Sequence, residues 1–185
     1  MKSRRIVTGH DADGKSEIVS DQAAPRTSAF EHVPGFVASM LWSAEAHPVV
    51  PNHAGDPTAA AVSWLPPAGG SKLLLITFPP DAVMHGPAFD PLAAGREYLS
   101  TIPGLAEKFE SEHPGMHTTD TLDYGVLLEG ELWLELDGGR ETLLHRHDVV
   151  VQQGTRHAWR NKSTQPATML FVLIGAQRCV PQGHL

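Results

Sequence analysis

The chain has little of what would place it in several large functional classes. Cys179 is its only cysteine among 185 residues, so no internal disulfide can form. It also lies in a Pro-bounded tail with no base beside it, which leaves no thiol nucleophile. No run of about 18 apolar residues exists to span a membrane as a helix. The formal net charge is -7, whereas nucleic acid or an anionic membrane surface calls for a basic footprint. The start Met1-Lys2-Ser3-Arg4-Arg5 carries the charge of a signal peptide. Gly9, His10, Asp11 and Asp13 interrupt the apolar stretch that should follow. No serine sits in a Gly-x-Ser-x-Gly elbow, and Gly69-Gly70-Ser71-Lys72 lacks the order of a phosphate-cradling loop. Repeats and low-complexity tracts are missing too. These absences point to a cytoplasmic protein that meets neither nucleic acid nor membrane.

What is present is a chain of turns and short apolar runs. With 17 Gly and 15 Pro, it suits many turns better than long helices. Its length fits one domain with appendages. Ile6-Val7-Thr8 and Glu17-Ile18-Val19 flank the turn Asp11-Ala12-Asp13-Gly14 as a hairpin. The turn lacks the later acidic ligands of a calcium loop. Phe36–Trp42 and Lys72–Phe78 read as strands, the second bounded by Gly69-Gly70 and Pro79-Pro80. Residues 91–112 are the one helical stretch. Leu92, Leu99, Ile102, Leu105 and Phe109 lie at helical spacings there, and Pro103-Gly104 breaks it into two pieces. Strands then follow at Asp123–Leu128, Glu131–Leu136, Glu141–Leu144, Val149–Gln152, His157–Asn161 and Ala167–Ile174. Asp137-Gly138-Gly139 makes the clearest hairpin turn.

Two polar segments stand out in this ladder. The first runs from His117 through Thr119, Thr121 and Asp123 to Gly130. The second is Gly154-Thr155-Arg156-His157-Ala158-Trp159-Arg160-Asn161. They resemble the two motifs of the cupin superfamily, G-x5-H-x-H-x3-4-E-x6-G and G-x5-P-x-G-x2-H-x3-N. Aligned on Gly130, Asp123 falls on the family's Glu, His117 on the first His and Thr119 on the second. In the second motif Gly154, His157 and Asn161 match, Gln152 replaces Pro, and Arg146 stands at the leading Gly. The resemblance covers about residues 113–175. It implies an all-β, jelly-roll antiparallel barrel over residues 66–178. Residues 1–65 would form an N-terminal extension packing on the barrel or on a dimer partner, and residues 179–185 a tail. A homodimer is the expected assembly.

Residues two apart on a strand share a face. Thr119, Thr121 and Asp123 should therefore point inward with His117, and Trp159 and Asn161 with His157. Across one barrel this would gather His117, Asp123 and His157, a set able to hold one divalent transition metal such as Fe, Mn, Ni or Zn. The family's usual three His and one Glu are here depleted by Thr119 and shortened by Asp123. Asp123 and His157 are the candidate catalytic groups; Thr119, Thr121 and Trp159 the candidate substrate contacts. Three functions stay open. One is a metal-dependent lyase, isomerase or decarboxylase acting on a small oxygen-bearing organic molecule, with an iron dioxygenase as its redox variant. Another is a metal-free pocket in which Asp123 is a general base or merely binds a ligand. The last is an inert interior. Arg156, Arg160 and Tyr124 are out of phase and should face away. His145 and His147 belong to a solvated turn; His85 and His113 lie in loops near the mouth. His10, His32, His47, His53 and His184 read as surface residues.

Overall fold

The computed structural model describes residues 3–51 and 55–179, so His53 and His184 lie outside the described residues. Among the described residues eleven strands are present: β1 (Arg4–His10), β2 (Ser16–Ala23), β3 (Arg26–Ala29), β4 (Val37–Ala44), β5 (Ser71–Phe78), β6 (Thr121–Glu129), β7 (Leu132–Leu136), β8 (Arg140–Leu144), β9 (Val149–Gln153), β10 (His157–Arg160) and β11 (Ala167–Gly175). One α-helix, α1 (Pro91–Thr101), interrupts them, with short 3-10 turns at Asp81–His85, Ala106–Lys108 and Asp137–Gly139. All pairings are antiparallel. They form a six-stranded sheet in the order β3-β4-β5-β11-β6-β9, a three-stranded sheet β10-β7-β8, and the hairpin β1-β2. The class is the expected one, an all-β barrel.

Alternation of side chains explains how the sheets share one interior. On β11 the buried positions are Ala167, Met169, Phe171, Leu173 and Gly175, and on β5 they are Lys72, Leu74 and Ile76. On β6 they are Thr121, Asp123, Gly125 and Leu127, so two polar residues enter a mainly apolar interior. Leu127, Leu132, Leu144 and Met169 join Met40 and Trp64 in one continuous core. Burial of these side chains stabilises the barrel at roughly 1.5–3 kcal/mol each. The motif glycines have a backbone reason to be glycine. Gly130 and Gly154 have φ of 79° and 60°, and a Cβ on Gly130 would meet the Pro166 carbonyl oxygen at 2.6 Å.

Helix α1 starts where Asp90 accepts hydrogen bonds from the amides of Leu92 and Ala93, with Pro91 in the first helical position. It ends before Pro103-Gly104, as expected from the sequence. Its inward face differs from the expected one. Leu92 and Leu99 are 73% and 50% exposed at the cavity rim, while Ala93, Ala94 and Ile102 are buried. The competing principle is space: the small Ala94 lets the helix lie close, and Tyr98 supplies the bulk. Strand β3 was not anticipated, because Arg-Thr-Ser-Ala carries no apolar alternation. It is the outer edge of the six-stranded sheet and pairs Arg26–Ala29 with Met40–Val37.

Candidate active site

The barrel encloses a cavity of about 990 Å³. One part of its wall comes from strands: Leu74, Ile76 and Phe78 of β5, Asp123 and Gly125 of β6, Val150 and Gln152 of β9, His157 and Trp159 of β10, Phe171 and Leu173 of β11. The opposite part comes from Phe36, Trp64, α1 and the turns that flank it, through Met84, Tyr98, Ile102, Leu105 and Phe109. The helical insert thus closes a barrel that would otherwise stand open.

His117 and His157 are brought together by backbone, not by a full strand pairing. The amide of each donates to the carbonyl of the other, at 2.9 and 3.0 Å, in an isolated antiparallel bridge. Their rings lie 4.2 Å apart at 50°. The ring Nδ1 of His117 meets the Gly115 carbonyl oxygen at 3.0 Å, and that of His157 meets the Thr155 carbonyl oxygen at 2.9 Å. A carbonyl only accepts, so in the neutral rings Nδ1 carries the proton and donates. Each Nε2 keeps its lone pair. Burial pushes both imidazoles toward this neutral form. For His157, desolvation and the neighbouring His117 push the pKa down to about 3; for His117, desolvation moves it below the ordinary value.

Asp123 is 7% exposed, and burial raises its carboxyl pKa to about 6 against a hydrogen bond from Thr121 that opposes the rise. Among the described residues its Oδ1 has no hydrogen-bond partner, and neither does Nε2 of Gln152. The Thr119 and Thr121 hydroxyls are 2.7 Å apart, and Thr119 lines the cavity. Thr121, expected to touch substrate, stands behind it: it is buried outside the cavity lining and supports Thr119 and Asp123. Trp159 does line the cavity, with its ring 5.7 Å from that of His157. Asn161 has a structural task. Its Nδ2 donates to the Phe78 and Gln165 carbonyls at 3.0 and 2.8 Å, and its Oδ1 accepts from the amide and hydroxyl of Ser163.

The expected metal set is not assembled. Among the described residues, no three His, Cys, Asp or Glu side chains are placed to hold an ion. The His117–His157 bridge offers two imidazoles, Thr119 occupies the position of a third, and Asp123 does not close the set. The other described histidines do not supply the missing ligand. His113 is exposed on an outer groove, His145 lies 3.5 Å from Glu131 on the surface, and His85 at the rim binds the Asp81 carbonyl through Nδ1.

Arg156 faces off the cavity, as its phase requires, whereas Arg160, expected to face away as well, also lines it; both are partly buried. Nε and Nη2 of Arg156 donate to the two Glu110 carboxylate oxygens, both at 2.6 Å. Arg160 bonds Glu135 and the Pro114 carbonyl. Together they clamp the segment 110–117 that delivers His117. Gln152 is the lining residue that motif matching passed over, since it marks only a departure from the family's Pro. Its inward phase with Val150 on β9 was the available signal.

A family model for a cupin domain matches residues 106–173. The oryzines biosynthesis cluster protein J of Aspergillus oryzae is 41% identical over 103 residues, 55% of this chain and 54% of that protein. A cupin-domain-containing oxidoreductase of Aspergillus ruber is 29% identical over 175 residues, covering 92% of this chain and 71% of that one. The chain spans about half the length of the biosynthesis-cluster relatives it matches. Among solved structures, a Cupin 2 conserved barrel domain protein from Salinispora arenicola aligns with a TM-score of 0.41 at 16% identity, over 76% of each chain. No helix among the described residues is long and apolar enough to cross a membrane.

Proposed function

We infer that this chain, which belongs to the cupin superfamily, is an enzyme that encloses a small organic molecule of largely apolar body and moves a proton on it with Asp123. The observation that carries this reading is the unpartnered Oδ1 of a buried carboxylate on the wall of a mainly apolar cavity. A buried oxygen with nothing to bond costs about 1–3 kcal/mol, and a substrate proton in that position would remove the cost. In the step proposed, the Asp123 carboxylate takes the proton from an atom next to a substrate carbonyl. The bonding pair left behind passes into that carbonyl as an enolate. The protonated Asp123 then returns the proton at another atom of the same conjugated system, so the net change is an isomerisation. A pKa of about 6 suits this exchange near neutral pH. Thr119 offers a hydroxyl backed by Thr121, and the Nε2 atoms of His117 and His157 accept from substrate hydroxyls.

The names of the relatives, which include biosynthesis-cluster proteins, support a small-molecule substrate. Their word oxidoreductase favours a second reading, redox chemistry at a bound iron. That reading needs a third ligand to converge with His117 and His157, which the described residues do not provide. One assay separates the two. α-Tetralone, an aromatic ketone, is incubated with the protein in deuterated water, with chelator or with added Fe(II), while mass gain and oxygen uptake are followed. Chelator-insensitive deuterium uptake beside the carbonyl, lost in Asp123→Asn, is the expected result. Iron-dependent oxygen consumption without exchange would replace the proton-transfer reading by the redox one.

A further inference from the structure

Half of the chain's Phe, Tyr and Trp residues belong to one closed circuit of rings. Phe36 contacts Tyr98 at 5.4 Å between centroids, Tyr98 contacts Phe109 at 5.6 Å, and Phe109 contacts His117 at 5.0 Å. His117 and His157 continue it, then Trp159, Phe171 at 5.5 Å, Phe78 at 6.5 Å and Phe36 again at 5.8 Å. Every one of these eight rings lines the cavity. The contacts are tilted or edge-to-face. Such belts present ring faces and edges to whatever lies inside, an arrangement that favours a flat, unsaturated guest over a saturated one.

On the wall within this belt, Asp123 and Gln152 face one another as register partners of β6 and β9. Directly opposed residues on antiparallel strands have Cβ atoms about 4.5–5.5 Å apart, so the two side chains stand side by side. Both are nine-tenths buried, at 7% and 4% exposure, and both line the cavity. Each keeps one polar atom without a partner, an acceptor Oδ1 on Asp123 and a donor Nε2 on Gln152. Gly125, the next inward residue on β6, adds no side chain beside them, since a Cβ there would run into the Met169 side chain. Among the described residues neither of these two atoms finds a partner, and their chemistry is complementary to one kind of molecular edge.

We propose that Gln152 is a substrate-recognising residue, and that with Asp123 it reads a planar aromatic molecule through an edge in which a carbonyl oxygen sits beside an N–H, O–H or acidic C–H. The carbonyl accepts from Nε2 of Gln152 while the adjacent hydrogen meets Oδ1 of Asp123. This rests on the small-molecule reading above and narrows its substrate class. A site built from buried hydrogen-bonding groups rejects an analogue that lacks the matching atom, because its own groups are then left unpaired.

The test uses three bicyclic aromatic probes of nearly equal size: carbostyril, with carbonyl and adjacent N–H; coumarin, with the carbonyl alone; and naphthalene, with neither. Dissociation constants come from ligand-observed NMR on the full chain. In the wild type, affinity should fall about tenfold at each loss of a matching atom, one hydrogen bond at a time. In Gln152→Leu, coumarin and naphthalene should bind alike. Gln152→Met, which keeps the length and has no donor, should also close that gap, so a folding defect in one variant does not decide the matter. Equal wild-type binding of all three probes, or a coumarin–naphthalene gap unchanged in both variants, overturns the proposal and leaves the small-molecule cavity standing. Failure of every probe to bind overturns both.

Discussion

The two ends of the cavity are built by opposite rules. Around Phe36, Tyr98 and Ile102 the wall is apolar, and burying it contributes stability. Around His117, Asp123, Gln152 and His157 the wall is polar, desolvated and incompletely paired, and keeping it there costs stability. The first end is a helix and loops laid across the mouth; the second is strand and bridge geometry from four segments. The difference teaches where this fold can tolerate cost. The polar groups sit on strands and backbone bridges that the core already holds rigid, as a reactive constellation requires.

The largest expected effect lies at the polar end. Asp123→Asn should slow deuterium exchange of α-tetralone by about 10²–10⁴-fold, the usual worth of a positioned acid–base group. The same substitution should stabilise the fold near neutral pH. The carboxyl pKa is raised from 3.8 to about 6 in the folded protein. Below 3.8 the group is protonated in both states and costs nothing; as pH rises toward 6 the unfolded chain ionises first, and stability is lost. Above 6 the full cost is present, up to about 3 kcal/mol. Chemical denaturation of the variant and the wild type at several pH values reads it directly. An unchanged stability would mean the polar end carries no such burden, and the comparison would fail.

Truncation at the apolar end should do the reverse. Phe36→Ala removes a belt ring that contacts Phe30, Phe78 and Tyr98, and should cost about 3–5 kcal/mol in a urea titration. A third variant sharpens the contrast through acid. The pKa of His157 falls from 6.5 to about 3 on folding, so below 6.5 the unfolded chain takes up a proton that the folded chain refuses. Stability should therefore fall as pH drops from about 6.5 to about 3, and His157→Gln should flatten that slope by a few kcal/mol across the window. An identical slope in the variant would assign acid sensitivity elsewhere. The smallest effect is expected at Thr121→Val, which removes the hydroxyl paired with Thr119 and should cost about 1 kcal/mol with a modest loss of exchange. A loss as large as that of Asp123→Asn would instead give Thr121 a direct part in the chemistry.

Much of the barrel was legible because strand alternation has a period of two and its turns carry Gly. The hairpin β1-β2, strand β5 and the ladder from β6 to β11 all announce themselves this way. The burial of Thr119, Asp123 and His157 follows from the same rule. What stayed hidden was set by neighbours distant in sequence. Thr121 shares the inward phase, yet Thr119 stands between it and the cavity. Asn161 shares the phase of His157 but is used up by the Phe78 and Gln165 carbonyls. Leu92 and Leu99 lie at helical spacing but end at the rim, because Ala94 and Tyr98 decide how α1 docks.

The sequence by itself determined the all-β class, the break at Pro103-Gly104 and the inward run of polar residues, since each depends on local periodicity or backbone freedom. Only the tertiary structure decided that His117 and His157 meet through a two-bond bridge, that no third ligand among the described residues joins them, and that Asp123 and Gln152 are left side by side with unspent hydrogen-bonding capacity. The closed circuit of rings belongs to the same category. Its members come from residues 36 to 171, and no local rule connects side chains that only long-range packing brings within reach.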